Sequence, residues 1–193
     1  MNELALRKRT LAGEKLVGTF VNTGSSMSVE IAGNVGLDWC LVDMEHGVGS
    51  WESLMHQLGT LNGSRTAPLV RLPGLDVVYF KKALDFGAHG VMVPSLDTAE
   101  EARQAVSFCR YPPFGTRGVS GMTRCARFGK KLDERLESAH ENTLIIAQIE
   151  TKSGLENVDA IAAVDGIDLL FVGPMDLSVS LGIARQLEHP DYK

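Results

Sequence analysis

The chain has 193 residues, a formal net charge of −5, 44% hydrophobic residues and 22% charged residues. These proportions are typical of a globular domain that can bury its own core, and we expect a single domain over residues 1–193. The mildly acidic balance, without a basic stripe carrying interleaved aromatic residues, argues against nucleic-acid partners. No apolar run approaches the ~20 residues that span a bilayer, so no membrane partner is predicted.

The cysteines and the N-terminal segment indicate the compartment. Cys40, Cys109 and Cys125 are widely spaced and odd in number, and they match neither a zinc-binding pattern nor a disulfide framework. The first residues contain no apolar core of the kind found in signal peptides. Free thiols suit a reducing environment, which predicts a cytoplasmic location.

Apolar segments rich in β-branched residues alternate with segments of helical periodicity. Six of them are predicted strands: residues 16–21, 38–45, 67–72, 89–94, 143–150 and 167–173. Five or six helices are predicted between and after them. Ser50 is placed to cap a helix that begins at Trp51, and Thr98 is placed to cap another, with Glu101 as its capping-box partner. The tail from residue 178 onward is predicted to be a further helix or loop.

The order of these elements predicts an α/β fold with a parallel sheet. The strands are apolar along nearly their whole length, and no hairpin turns join them, so both faces of the sheet should be covered by helices. Two architectures meet this requirement, an open doubly wound sheet and a (β/α)8 barrel. No glycine-rich phosphate-binding motif follows a strand, which disfavours the first.

Polar residues at the carboxyl ends of the predicted strands favour the barrel. The segment LVDMEH ends in Asp43, Glu45 and His46, and other strands end at or near Arg71, Gln148, Glu150 and Asp176. In a barrel these ends converge on one rim, where barrel enzymes build their active sites. The simpler interpretation is that each strand end meets water, but five residue types arriving from different strands favour a site.

Glu150 and Asp176 are the candidate metal ligands, because they follow consecutive strands and offer oxygen atoms. Oxygen ligands without nearby thiolates suit Mg²⁺ or Mn²⁺. The alternatives are that either carboxylate forms an ion pair or caps a helix, and Asp176 is well placed for a cap. The stretch from Gly173 to Asp176 resembles a helix start, whose free N–H groups suit a substrate carboxylate.

Arg71 and His46 are the candidate catalytic groups. Arg71 ends an otherwise apolar strand, where a guanidinium can clamp a carboxylate or stabilise an enolate; the alternative is a buried ion pair with Glu45 or Glu150. His46 is the only histidine at a strand terminus and is the candidate general base. No lysine stands at a strand end, so a Schiff-base mechanism is not expected. The histidines without a predicted role are His56, His89, His140 and His189.

Six motifs in order, spanning about residues 18–182, resemble the HpcH/HpaI aldolase family. They are LVDMEHG, LVRLP, LDFGAHGVMVP, RYPPFGTRG, IIAQIE and LLFVGPMDLSVSLG. The resemblance is to class II pyruvate aldolases that act on 2,4-dihydroxyhept-2-ene-1,7-dioate or on 2-keto-3-deoxy sugar acids. It implies a (β/α)8 TIM barrel of the phosphoenolpyruvate/pyruvate-binding type, and reversible cleavage of a 4-hydroxy-2-oxo acid to pyruvate and an aldehyde.

The resemblance also implies roles for individual residues and a divalent metal, Mg²⁺, Mn²⁺ or Co²⁺. Glu150 and Asp176 would bind the metal, while Gln148, the backbone at Met175 and Asp176 would hold the pyruvyl group. Arg71 would stabilise the transition state, and His46 would act as the base, directly or through a metal-bound water. Asp85 would raise the basicity of that histidine, although its position at a helix end predicts the opposite rim. A homo-oligomer, a hexamer in the family, is also implied.

Two features depart from the family pattern. Met175 stands where a small residue, often alanine, is usual, and its larger side chain is expected to narrow or reshape the aldehyde pocket. The sequence also stops after the sixth predicted strand, whereas a full barrel of about 250 residues has two more strand–helix units. We therefore expect a truncated barrel, or one completed by another chain.

Two alternatives to a pyruvate aldolase remain at this stage. A citrate-lyase-like or malyl-CoA-type lyase would use the same metal carboxylates with a thioester substrate. A non-catalytic remnant would keep the motifs but serve as an interaction or regulatory chain, or have no role. The expected truncation favours the remnant, whereas the intact set of His46, Arg71, Glu150 and Asp176 favours an enzyme.

Overall fold

The computed structural model of the protein describes residues 4–184, 186 and 188–190, and the side chains of residues 4 and 5 are not described. Six parallel strands form one sheet in the order β1 to β6, which confirms the predicted α/β class and all six strands. The strands are β1 Gly18–Val21, β2 Trp39–Asp43, β3 Ala67–Arg71, β4 Gly90–Val93, β5 Leu144–Ile149 and β6 Leu169–Val172. The parts of the predicted tail at 185, 187 and 191–193 lie outside the described residues.

Helices connect successive strands, as right-handed parallel units require. They are α1 Leu4–Leu11, α2 Ser26–Asn34, α3 Trp51–Thr60, α4 Val77–Asp85, α5 Ala99–Cys109, α6 Leu132–Asn142, α7 Lys152–Glu156, α8 Val158–Ala162 and α9 Pro174–Ser180. Both predicted caps are confirmed: Ser50 Oγ accepts from the Ser53 N–H at 3.1 Å, and Thr98 Oγ1 accepts from the Glu101 N–H at 3.2 Å. No helix of the described part is both long and apolar enough to cross a membrane.

Two helical regions differ from the sequence prediction. The segment predicted as one helix after β5 is divided into α7 and α8 at Asn157, whose side-chain amide donates to the Asp97 carbonyl at 2.8 Å. That contact fixes the chain to the preceding loop and interrupts the helix. The helices α1 and α6 were not predicted, because their many charged residues make both segments hydrophilic on average.

The strand residues alternate between two apolar clusters, one on each face of the sheet. Cys40, Val42 and Val70 belong to the cluster that packs against the helices, whereas Leu41 and Leu69 belong to the cluster on the opposite face. This alternation is the two-residue period of a strand. It also determines which polar residues at the strand ends point toward the second face.

The sheet is strongly curved around the second cluster. The rings of Phe20 on β1 and Phe171 on β6 are 5.6 Å apart, although a flat six-stranded sheet would separate these strands by about 24 Å. Leu6 of α1 also joins this cluster, which places α1 against the concave face. A cavity of about 240 Å³ lies between α1 and the strands and is lined mainly by apolar side chains. The curvature brings the carboxyl ends of the strands around one rim.

Candidate active site

Asp43 and Arg71 form an ion pair across the ends of β2 and β3, where they are direct register partners. The Arg71 Nε donates to Asp43 Oδ1 at 2.9 Å, and Nη2 donates to Oδ2 at 2.6 Å. Below the guanidinium, the ring of Phe20 has its centroid 5.5 Å from Cζ. The two-bond geometry and the ring together fix the plane of the guanidinium at the rim.

The environment keeps both partners of this pair charged. Burial opposes the charge on Arg71, but the Asp43 hydrogen bonds and the carboxylates of Glu45 and Glu150 outweigh it, so the pKa of Arg71 is raised. Burial likewise opposes ionisation of Asp43, but the Arg71 hydrogen bonds and two backbone N–H groups outweigh it, so the pKa of Asp43 is lowered. A permanent cation therefore lies at the centre of the rim.

Asp43 also shapes the loop that carries His46. Its Oδ1 accepts the backbone N–H groups of Glu45 at 3.0 Å and His46 at 3.2 Å. This side-chain turn ends β2 two residues before the predicted end at Glu45. The His46 side chain is 63% exposed, and its Nε2 lies 3.8 Å from Glu45 Oε2. An accessible imidazole beside a carboxylate is suited to proton transfer.

Glu45 lies between the Arg71 guanidinium and Glu150, the candidate metal ligand. Its Oε2 is 3.3 Å from Arg71 Nη1 and makes no hydrogen bond. Burial raises the pKa of Glu45, and the nearby charges of Glu150 and Asp43 raise it further, against the opposing effect of Arg71. Two carboxylates, Glu45 and Glu150, therefore repel each other across the rim. A divalent cation would relieve this repulsion.

Glu150 follows β5 directly and is 4% exposed. Its Oε1 accepts both the backbone N–H and the Oγ hydroxyl of Ser95, each at 2.8 Å. Its Oε2 accepts from Nε2 of Gln148, which precedes it by two residues and therefore faces the same side of the sheet. Gln148 is 1% exposed and its Oε1 has no hydrogen-bond partner. The structure thus shows Gln148 as a direct support of the Glu150 carboxylate.

Gly173 brings the β6–α9 junction against Glu150. Its N–H donates to the Ile149 carbonyl at 2.9 Å, and a Cβ at this position would lie 2.8 Å from Glu150 Oε2. Three residues later, Asp176 lies in the first turn of α9; the helix begins at Pro174, so Asp176 is not its N-cap. Met175 and Asp176 are both exposed. The predicted helix start is confirmed, and the cap alternative for Asp176 is excluded.

These donors fit a hard divalent cation that keeps several water or substrate oxygens. Among the described residues, no group of three or more His, Cys, Asp or Glu side chains is arranged to hold a metal. Glu150 and Asp176 are carboxylates on neighbouring elements, and the glycine at position 173 leaves the space beside Glu150 Oε2 free of a side chain. Sites with one or two carboxylates and several waters are typical of Mg²⁺.

Asp85 is not brought to this rim within the chain. It is the last residue of α4, which places it at the amino end of the strands. There its Oδ1 accepts from Nη2 of Arg117 at 2.6 Å, and Arg117 is 1% exposed and lies over the Tyr111 ring. The geometry gives Asp85 a structural partner and no contact with His46. Its role in raising the basicity of that histidine stays a prediction from the resemblance.

Cys40 and Cys109 do not offer an alternative nucleophile, and Cys125 lies beside Asp85, at the other end of the strands. All three are buried and free of disulfides. Burial raises the pKa of Cys40 to about 11 and that of Cys109 to about 12. Thiols with such values are protonated at neutral pH and are poor nucleophiles. The acid–base chemistry of the rim therefore belongs to its carboxylates, Arg71 and His46.

Ser95 was not predicted at the rim, whereas Asp43 and Gly173 were placed there by the sequence but given no contact or role of their own. Asp43 carried a signal, since the strand alternation places it on the same face as the other rim groups. Gly173 precedes a proline. This pair of residues predicts a turn, but it does not predict that Gly173 lies close to the Glu150 carboxylate. Ser95 carried no sequence signal, because its contact with Glu150 joins residues 55 positions apart.

A family profile described as "HpcH/HpaI aldolase/citrate lyase" matches residues 16–193. The chain belongs to the HpcH/HpaI aldolase/citrate lyase family. The predicted resemblance is thereby confirmed over nearly the whole sequence. The description of the family names aldolases and citrate lyases, which cleave carbon–carbon bonds, so the predicted enzyme class, a carbon–carbon lyase, is also confirmed.

Individual relatives agree with this assignment. The chain is 42% identical over 188 residues to a hydroxypyruvate/pyruvate aldolase of Roseobacter denitrificans, covering 97% of this chain and 73% of that protein. It is 41% identical over 188 residues to a 2-keto-3-deoxy-L-rhamnonate aldolase of Klebsiella pneumoniae, covering 97% of this chain and 70% of that protein. Both relatives are aldolases, which supports the aldolase prediction over the citrate-lyase alternative.

A solved structure confirms the barrel-type fold. An HpcH/HpaI aldolase/citrate lyase family protein of Burkholderia cenocepacia superposes with a TM-score of 0.92 at 36% identity, covering 97% of this chain and 76% of that chain. The six-stranded sheet therefore corresponds to the larger part of the TIM-barrel fold of its relatives.

Proposed function

We propose that the chain is a divalent-metal-dependent aldolase that reversibly cleaves a 4-hydroxy-2-oxo acid to pyruvate and an aldehyde. The observation that carries this proposal is the rim itself, where a fixed guanidinium, Arg71, lies between Asp43, Glu45 and Glu150. A guanidinium held among carboxylates in a partly buried site is suited to a reaction that develops negative charge on a substrate oxygen. The sequence relatives act on 2-oxo acids by name, which supports the substrate class.

Glu150 and Asp176 would hold the cation, for which we propose Mg²⁺, Mn²⁺ or Co²⁺. When bound, such a cation supplies Lewis-acid stabilisation of negative charge on the substrate oxygens. Gln148 and the backbone N–H groups of Met175 and Asp176 would orient the pyruvyl group beside it. The exposed Met175 side chain would then narrow the space left for the aldehyde.

Two residues of the chain would carry out the reaction steps, His46 as the proton acceptor and Arg71 as the stabiliser of negative charge. His46 would accept the proton of the C4 hydroxyl, the C3–C4 bond would break, and the aldehyde would form at C4. The bonding electrons would pass to C3 and the keto group as the enolate of pyruvate, which Arg71 would stabilise. Two of the five Arg71 N–H donors bind Asp43, so others remain for the enolate oxygen. Protonation at C3 completes pyruvate.

The test is pyruvate release from a panel of 4-hydroxy-2-oxo acids, measured with Mn²⁺ or Mg²⁺ and again after EDTA. Glu150→Ala and Arg71→Ala are expected to abolish release. Glu156→Ala and Arg103→Ala, which change exposed side chains of α7 and α5, are the matched controls and should keep it. No release from a folded, metal-loaded wild-type protein would contradict the proposal and favour the non-catalytic alternative.

The proposal extends to the domain organisation, location and oligomeric state of the enzyme. We propose a single domain over residues 1–193 and a cytoplasmic location, which the three free, buried cysteines support. We also propose a homo-oligomer, a hexamer by resemblance to the family. Light scattering coupled to size-exclusion chromatography measures its mass, and a monomer at micromolar concentration would contradict the oligomer.

A further inference from the structure

Ser95 lies on the loop between β4 and α5 in a backbone conformation that is rare for a residue with a side chain. Its φ is +51°, in the left-handed region. This conformation is unfavourable for a residue with a Cβ and persists only where the surroundings impose it. In return, Ser95 directs both its N–H and its hydroxyl at one atom, Glu150 Oε1, each at 2.8 Å.

The loop around Ser95 is held from two sides. The Asp97 carboxylate accepts from Thr151 Oγ1, and the Asp97 carbonyl accepts from the Asn157 amide at 2.8 Å. On the other side, Glu101 Oε2 accepts the N–H groups of Asp97 and Thr98, both at 2.9 Å. Ser95 is therefore tied to the loop that follows Glu150 and to α5. Its contact with Glu150 is built into the fold.

The hydrogen bonds leave Glu150 with one free direction. A carboxylate oxygen has about two acceptor positions. Both positions of Oε1 are used by Ser95, and one position of Oε2 is used by Gln148. The remaining position belongs to Oε2, the oxygen that lies 2.8 Å from where a Gly173 Cβ would be. The free direction thus lies on the side of the β6–α9 junction that carries Asp176.

We infer that Ser95 makes Glu150 a one-oxygen metal ligand, through Oε2 alone, and thereby selects small octahedral cations against Ca²⁺. Mg²⁺-sized ions take carboxylates one oxygen at a time in strict octahedral geometry, whereas Ca²⁺ accepts two oxygens of one carboxylate at longer distances. With Oε1 occupied, the two-oxygen mode is closed. This inference rests on the proposed metal site at Glu150 and adds a determinant of its selectivity.

The test compares Ser95→Ala and Ser95→Gly with the wild type. Both variants keep the backbone N–H and lose the hydroxyl, and the glycine variant also removes the cost of the positive φ. Mn²⁺ affinity is measured by electron paramagnetic resonance, and Ca²⁺ affinity by competition with Mn²⁺. Both variants are expected to shift the Ca²⁺/Mn²⁺ affinity ratio toward Ca²⁺ by about tenfold, the lower end of effects from removing a partner of a metal ligand.

Ser138→Ala is the matched control. It removes an exposed hydroxyl that donates to the Glu134 carbonyl on α6, and it should leave the ratio unchanged. Thermal unfolding of each apo-protein checks that the fold is retained.

The outcomes separate this inference from the proposed function. If the wild type binds Mn²⁺ and both variants keep its Ca²⁺/Mn²⁺ ratio, the role of Ser95 is overturned while the aldolase proposal stands. If only the alanine variant differs, strain and not the hydroxyl is responsible, and the role is again overturned. If the wild type binds no Mn²⁺ at millimolar concentration, the metal site fails, and this inference fails with it.

Discussion

Asp43 and Arg71 face each other across β2 and β3 in a two-bond ion pair whose side chains are 4% and 12% exposed. Asp43 simultaneously accepts two backbone N–H groups of the loop that carries His46. One carboxylate therefore fixes the candidate transition-state stabiliser and the loop of the candidate base. Positioning of this kind supplies a large part of enzymatic rate enhancement.

Arg71→Lys tests the geometry of the guanidinium separately from its charge. A lysine keeps the positive charge but cannot form the two-bond pair with Asp43. Loss of a fixed donor at a developing oxyanion costs about 10²–10³-fold in kcat. We expect a loss of this size in kcat for pyruvate release, with a smaller change in KM. Arg103→Lys, on the exposed face of α5, is the control, and a rate within a few-fold of wild type for Arg71→Lys would contradict the proposed role.

Asp43→Asn tests the contribution of the ion pair to stability and its dependence on pH. The folded-state pKa of Asp43 is lowered from an unfolded value of about 3.9, so its stabilisation is complete above that value. It is lost as the pH falls through the folded-state pKa. Because Arg71 loses its two-bond partner and keeps only the longer contact with Glu45, we expect a loss of up to about 3 kcal/mol at pH 7.

Urea unfolding at a series of pH values measures this effect. The difference in free energy of unfolding between wild type and Asp43→Asn should be constant from pH 7 to about pH 5 and should shrink below about pH 4. Asp159→Asn, at an exposed position of α8, provides the comparison. A difference that is independent of pH down to acid unfolding would show that the Asp43 charge is not what stabilises the fold.

Gly173→Ala tests the close approach of the β6–α9 junction to Glu150. The φ of Gly173 is −89°, so alanine is compatible with the backbone, but its Cβ would lie 2.8 Å from both Cβ and Oε2 of Glu150. We expect at least about a tenfold loss of Mn²⁺ affinity, because a displaced metal ligand has effects of this size. Gly74→Ala adds the same methyl group where nothing lies within 4 Å, and it should bind Mn²⁺ normally.

Asp85→Asn distinguishes a structural from a catalytic role for this residue. Removing the charge leaves Arg117 buried without its ion-pair partner, so we expect a loss of about 3 kcal/mol in the free energy of unfolding. Below the unfolding temperature, the pH dependence of kcat should match that of the wild type. A shift of its acidic limb with unchanged stability would instead support the role in raising the basicity of His46.

The fold was predictable because its signals are local. Each strand is a short apolar run, and the parallel order follows from the helices between the runs. The rim positions of Arg71 and Glu150 then followed from topology alone, since parallel strands all end on one side. The prediction extended β2 to Glu45, but the strand ends at Asp43. The Asp43 side chain accepts the N–H of Glu45 and turns the backbone away from the sheet.

The details of the site depend on contacts that no local pattern encodes. Ser95 contacts Glu150 because hydrogen bonds join the loops that follow two different strands. The positive φ of Ser95 cannot be predicted from the sequence. Asp85 pairs with Arg117 across 32 positions, and neither residue alone signals the pairing. The residue types available to the site were predictable, whereas the hydrogen bonds that orient them required the tertiary structure.

Arg7 of α1 binds both carboxylate oxygens of Asp168, just before β6, at 2.9 and 2.8 Å, and Asp168 also accepts the N–H of Ile145. These partners are 161 residues apart in the chain. At synthesis rates of about 5–20 residues per second, the first helix emerges from the ribosome roughly ten to thirty seconds before its anchor exists. During that interval α1 has no Asp168 to bind, so the helix can be secured against the sheet only after most of the chain has been synthesised.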